Sequence, residues 1–393
     1  PYGGEARISE NASYRLSFDD LVLAWAGWQN PLDIRAVGVR VLEHEGDVMA
    51  GVPEMGIELS LPAMARGLIA PTRLELFGPG LRLVRRNEGK YELGFGDTIA
   101  ADQFSLAEEL LRELLLPPDP DRAMGYLERI NILEARLVVR DDVNGVEWVA
   151  PSARIAIERH EKGVRAAAVI SLDVAGAVID LTATVVYDAN SRLIDLGLEF
   201  TDISPPTVAA MLPACPELAD LNLPLSGRLD LLADLDGHVL EVGFDLSGGA
   251  GTIPALPMYL GAAPFEVSLI QARGRLEDGL TRLVLEEFFA DFGGPNVSLS
   301  GSFSGDMAVP ATNANLVVRG APAHLVERFW PPDVTPEARA WVVEHVPEGL
   351  IEELTIRMVL DAEDWAREQI DRDRIQGTFR VSGATVYYQD ALP

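Results

Sequence analysis

The chain has 393 residues, with 32 Lys and Arg against 61 Asp and Glu, a formal net charge of −29 and 48% hydrophobic residues. That apolar content excludes a disordered chain, because enough surface can be buried to offset the ordering entropy. The acidic balance, with Lys90 and Lys162 as the lysines, leaves no electrostatic footprint for nucleic acid.

The length exceeds one ordinary compact domain, although large β architectures form single units. Cys215 is alone, so no intramolecular disulfide forms. No run reaches the roughly 18 apolar residues that a spanning helix needs. The chain begins at Pro1 without a methionine, and the expectation is a piece of a longer protein whose flanks carry any signal or anchor.

In chain order, period-two alternation comes first, in Leu32-Asp33-Ile34-Arg35-Ala36, Met55 to Leu61, Arg73 to Leu76 and Leu81 to Leu83. Each predicts a half-buried strand. Ser105 to Leu116 then reads as a helix, with a Ser105/Glu108 capping box and a stripe of Leu106, Leu110, Leu111, Leu114 and Leu115 ahead of Pro117 and Pro118.

Alternation returns in Leu137 with Val139, Ile155 with Ile157, Ala177 to Leu181, Leu196 to Phe200, Leu229 to Leu231, Leu240 to Leu246, Val297 to Leu299 and Leu354 to Leu360. Two helical interruptions are predicted there. One runs from Pro205 to Leu212. The other, from Ala323 to His345, is a pair split by Pro331 and Pro332, the second helix opened by Thr335 and Pro336. Roughly sixteen to twenty strands with short Gly, Asp and Asn turns read as consecutive antiparallel hairpins. No fixed period of about 40 to 50 residues marks a propeller. The phrases LELFGPGLRLVRR and ILEARLVVRDD echo one another.

Residues with catalytic chemistry form no motif. His44, His160, His238, His324 and His345 are scattered, without the close pairs of a zinc site. No nucleophile elbow or phosphate loop is present. Cys215, between Ala214 and Pro216, reads as a small filler because nothing nearby lowers its pKa. The pairs Glu286-Glu287, Glu352-Glu353 and Asp141-Asp142 suggest glycosidase carboxylates. Adjacent strand residues point to opposite faces, so a solvated exterior is the default. Trp25, Trp28, Trp148, Trp330, Trp341 and Trp365 are spaced irregularly, and packing is their default role. The alternating apolar stripe remains, and a closed core and a lipid-lining groove produce it equally well.

Residues 25–96 resemble the N-terminal part of AsmA-like proteins: Pro31-Leu32 before a strand, a Val52-Pro53 hairpin, a short helix ending at Gly67, Ile69 and Pro71, then Gly78-Pro79 and Gly89. Residues 321–360 are similar to the middle of the YhdP-type branch, through Phe329-Trp330-Pro331, Ala340-Trp341-Val342 and Gly349. The resemblance implies a mainly β fold, a long antiparallel sheet curled into an elongated groove with a few short helices. It implies no enzyme activity, and the residue pattern itself leads to the expectation of no cofactor and no metal.

It further implies a periplasmic location, anchored to the inner membrane by a segment that precedes this chain, with phospholipid as cargo and envelope or outer-membrane proteins as further partners. The expected organisation is an N-terminal β region (1–97), a helical insertion (98–130), a β-groove (131–320), a helical pair (321–347) and a groove continuation (348–393). The expected lining residues are Ile57, Leu59, Leu74, Leu76, Ile179, Leu181, Leu198, Phe200, Leu240, Val242, Phe244, Val297, Leu299, Ile356 and Met358. The Ser105–Leu116 helix is expected either to plug the groove or to cover a sheet end. The competing reading is a structural or assembly factor for outer-membrane proteins that acts through β-edges.

Overall fold

The computed structural model describes residues 4–7, 14–24, 33–43, 48–88, 90–96, 110–174, 176–211, 216–235, 237–254, 264–306, 308–329, 336–366 and 373–387. The fold is mainly β and mostly antiparallel. The chain divides into two compact units. One comprises Pro1–Phe200 with Met211–Ala214 and Leu232–His238; the other comprises Thr201–Ala210, Cys215–Leu231 and Val239–Pro393.

The first unit contains β1 (Gly4–Arg7), β2 (Tyr14–Phe18), β3 (Asp20–Ala24), β4 (Asp33–Glu43), β5 (Val48–Leu59), β6 (Pro71–Phe77), β7 (Gly80–Arg85) and β8 (Tyr91–Phe95). It continues with β9 (Arg129–Asp141), β10 (Val146–His160), β11 (Gly163–Val174), β12 (Ala177–Asp188) and residues 193–200 of β13 (Leu193–Ile203). Strands β9 to β13 are the expected succession of antiparallel hairpins. Strands β2 and β3 lie end to end along β4, and β5 and β6 extend the sheet on its other side.

The expectation of consecutive hairpins fails at β9. Strands β6 and β7 both run parallel to it, β6 beside 129–133 and β7 beside 136–141. The two echoing sequence phrases are therefore neighbours in the sheet. Gly78, at φ +63°, and fully buried Pro79 break the β6–β7 line. Opposite the break, Glu134 takes φ 52°. Gly78 N–H donates to Leu133 O at 2.8 Å and Arg136 N–H to Pro79 O at 3.0 Å, so the seam keeps its backbone bonds.

The β9–β10 turn is organised by Asp141, whose side chain is buried. Its carboxylate accepts the N–H groups of Val143 (2.9 Å) and Asn144 (3.2 Å), Asn144 Nδ2 (2.8 Å) and Arg85 Nη1 (3.3 Å). Burial pushes this carboxyl up, but the turn bonds and Arg85 outweigh it and hold the group below the usual carboxylate range. The charged form is therefore bound more tightly in the folded chain. Its stabilisation is full above the unfolded pKa and is lost as pH falls through the folded one. Asp141→Ala is expected to cost about 1–3 kcal/mol at pH 7. The gap to the parent should narrow as pH falls below the ordinary carboxylate range, measured as the difference between urea midpoints at neutral and at acid pH.

Among the described residues, three helical pieces lie between the strands of this unit. In the Leu61–Ala65 helix, Ser60 Oγ accepts the Ala63 N–H at 3.2 Å, Pro62 sits in the first turn, and Gly67 at φ +82° follows the end. Residues 110–115 are helical and stop before Pro117, as the leucine stripe predicts, while 105–109 lie outside the described residues. A 3-10 turn, Ala123–Tyr126, leads into fully buried Leu127 and Ile130.

The second unit contains residues 225–231 of β14 (Leu225–Asp234), then β15 (Val239–Gly248), β16 (Gly251–Ile253), β17 (Phe265–Val267), β18 (Leu269–Glu277) and β19 (Arg282–Asp291). It ends with β20 (Asn296–Ser304), β21 (Ala311–Pro322), β22 (Glu348–Leu360) and β23 (Ile375–Thr385). Strands β15, β18, β19, β20, β21, β22 and β23 pair antiparallel in that order. Strands β16 and β17 form a separate ribbon.

The Pro205–Met211 helix agrees with the sequence, with Leu212 outside the described residues. The later helical pair is a 3-10 turn (Ala323–Leu325) running into Val326–Phe329, then Pro336–His345. Trp330, Pro331, Pro332 and the expected cap Thr335 lie outside the described residues. Among the described residues, the strand pairings close neither unit into a barrel.

Candidate functional site

Because side chains alternate and directly paired residues share a face, the register assembles one surface in each unit. In the second unit, Val242, Phe244 and Leu246 on β15 continue into Ile270, Ala272 and Leu276 on β18 and Leu283, Leu285, Phe288 and Ala290 on β19. The row runs on through Val297, Leu299 and Phe303 on β20, Ala314, Leu316 and Val318 on β21, and Leu354, Ile356 and Met358 on β22 to Ile375 and Phe379 on β23. Seven strands at about 4.8 Å span about 29 Å, and four alternate positions per strand add about 20 Å in the other direction.

The first unit has its own counterpart. Ile34 pairs Ile57 and Ala36 pairs Met55; Leu74 and Leu76 follow, then Ile130 and Ile132, Ile155 and Ile157, and Ala166 and Ala168. Leu181 with Phe200 and Ala183 with Leu198 complete it.

All fifteen residues expected to line a groove fall on these two faces. Leu76 and Ile179 are buried; Ile57, Leu59, Leu74, Leu181, Leu198, Phe200, Val242, Phe244, Val297, Leu299, Ile356 and Met358 are half-buried; Leu240 is 41% exposed. A core sealed between two layers would hold its large side chains below a tenth of their free area. Here the greater part of each face retains solvent access.

Sequence reasoning omitted β18, β19 and β21 from the surface. In β19 the bulge opposite Ser300 puts Leu285 and Phe288, three residues apart, on one face. In β18 the row is thinned by Ala272 and Gly274, and the Phe244 ring lies over Gly274, its Cζ 2.9 Å from where a Cβ would stand.

The reverse faces are polar. Glu286 and Glu287 correct the expectation that adjacent carboxylates diverge: at the bulge both reach Arg273, at 3.7 and 2.8 Å, and Glu286 also meets Arg275 at 2.8 Å. Glu353 pairs with Arg319 at 2.9 Å, and Asp142 with Arg140 at 2.7 Å and Arg86 at 3.4 Å. These carboxylates are occupied in ion pairs. Among the described residues no group of three His, Cys, Asp or Glu could hold a metal ion.

Trp148 is half-buried, Trp341 stacks on His345 with ring centroids 5.0 Å apart, and Trp365 Nε1 donates to Pro310 O at 2.7 Å. Trp25, Trp28, His44 and Cys215 lie outside the described residues, as do Pro31, Leu32 and Gly89 of the family-like phrases.

One end of each apolar face is capped. In the first unit Arg159 follows Ile155 and Ile157 on the same face and is itself buried. Its guanidinium donates to Met124 O at 2.8 Å and to Glu113 O and Leu116 O at the end of the 110–115 helix. Burial first, with Arg122 nearby, holds its pKa below the ordinary arginine value against the opposing pull of Glu113. In the second unit, Leu223 packs against Gly248 at the end of β15. Nearby, Phe265 of β17 contacts Phe292 edge-on at 5.6 Å, with the Arg328 guanidinium 4.4 Å from its ring centre.

No protein-family profile, curated protein or solved structure matches this chain.

Proposed function

We propose that the two apolar faces hold acyl chains, and that the chain is the periplasmic part of an inner-membrane-anchored, AsmA-like bridge protein that moves phospholipids between inner and outer membranes. The observation that carries this reading is the incomplete burial of a broad, register-continuous apolar face in each unit. Monomeric soluble proteins rarely leave apolar patches larger than about 300–600 Å² uncovered without a functional reason.

Such a face replaces the bilayer interior as solvent for lipid tails, at about 0.8 kcal/mol per CH₂ shielded from water. The lining is chemically uniform, so no position holds a tail much more strongly than the next, and movement along it needs no chemistry. The polar reverse faces, rich in ion pairs, keep the protein in water. The two family-like phrases supply the envelope setting of the proposal.

Purified protein analysed by native mass spectrometry is expected to carry co-purified phospholipid, removable by organic extraction. Repeated lipid-free spectra from a membrane-containing host would overturn the proposal. A second reading, β-augmentation of outer-membrane protein strands, is favoured by β23. Among the described residues β23 pairs with β22 alone, and its Phe379 is 76% exposed. It predicts capture of unfolded barrel strands with no dependence on lipid.

A further inference from the structure

The polar face of the second unit contains a wide, open hollow of about 530 Å³. Its walls are Ser300 and Ser302 of β20, Asn313 and Asn315 of β21, Arg357 of β22 and Val284 of β19. The register explains why these side chains converge: Val284 pairs Ser302, Ser302 pairs Asn313, Ser300 pairs Asn315, and Asn315 pairs Arg357. The intervening Leu285, Gly301 and Ala314, which pair with one another and whose side chains belong to the opposite face, form its shallow floor. The β19 bulge beside them bends the strand.

Arg357 and the Ser and Asn side chains of the hollow make no hydrogen bond or ion pair among the described residues. On the same face Arg273, Arg275 and Arg319 are engaged by carboxylates. Arg357 is the one charged residue lining the hollow.

We propose that this hollow binds a small hydroxylated oxyanion, a sugar acid or sugar phosphate. A guanidinium offers a planar fork of N–H donors that fits a carboxylate or phosphate through two parallel bonds. Serine hydroxyls and asparagine amides each donate and accept, as the alternating hydroxyls of a sugar require. Val284 supplies an apolar contact for a ring C–H face. Nothing in the assignment depends on lipid, because the hollow opens on the face opposite the apolar surface.

The test is isothermal titration of the purified protein with glucuronate, glucose 6-phosphate, inorganic phosphate and glucose. Glucuronate and glucose 6-phosphate are expected to bind more tightly than phosphate or glucose alone. Arg357→Gln should weaken both at least tenfold, about 1.4 kcal/mol, while Asn315→Leu should weaken the sugar compounds and spare phosphate. Circular dichroism and lipid content should match the parent in both variants. Absence of heat with all four probes at about 10 mM, a concentration at which even a millimolar site is mostly filled, overturns the proposal. So does unchanged affinity in Arg357→Gln. Equal affinity for phosphate and glucose 6-phosphate overturns the sugar assignment.

Discussion

Replacing Phe244 by Asp is expected to strip the protein of bound phospholipid. The ring covers Gly274 across the first two strands of the second unit's apolar face, flanked by Val242 and Leu246 on its own strand. A carboxylate there removes a large apolar contact and places charge where tails would lie, and an ion without a partner strongly resists leaving water. A tenfold or greater loss of lipid per protein corresponds to about 1.4 kcal/mol or more, well within the desolvation cost of a carboxylate. Met358→Asp, further along the same face, should act alike. Ser298→Asp, on the polar face, should leave lipid content unchanged. Native mass spectrometry beside circular dichroism separates lost lipid from lost fold. A folded Phe244→Asp protein with parental lipid content would show that this face is not where tails reside.

The second large effect is expected at Arg159. Arg159→Met keeps the length of the side chain but removes every donor, leaving the carbonyls of Met124, Glu113 and Leu116 without this partner. Hydrogen bonds from a charged donor contribute about 1.5–3 kcal/mol each, and buried acceptors left alone carry a further penalty. An overall loss of about 3 kcal/mol or more is expected. It should be concentrated locally, with amide exchange over residues 110–127 accelerating before that of β11 and β12. Arg159→Lys should recover only part, since an ammonium lacks the fork that reaches three carbonyls. If exchange in this segment matches the parent, Arg159 does not pin it to the sheet.

Much of this was readable in the residues themselves. Alternation in Ile57 with Leu59, Leu240 with Val242, and Ile356 with Met358 assigned each to a face, because a strand fixes side-chain direction by parity alone. Parity fails where an extra residue enters, and Glu286 inserts one without any Gly or Pro to announce it. The leucines of 110–115 and the prolines after them announced a helix. Its anchor, more than forty residues downstream, could not be foreseen from local pattern. Nothing in the sequence of Ser298, Ser300 and Ser302 sets them apart from an ordinary solvated strand. Only the pairing with Asn313, Asn315 and Arg357, set by backbone register, turns two of them into the walls of a hollow.

The seam at Gly78 and Pro79 bears on the order of assembly. Strands β10 to β13 meet their neighbours through tight hairpins, whereas β6 and β7 must find β9 across more than fifty residues of intervening chain. Loop closure on that scale is opposed by chain entropy before any bond rewards it. The late hairpins are therefore expected to form first and the amino-terminal strands to dock on them, so that the slow kinetic phase of this unit is the parallel zippering at β9.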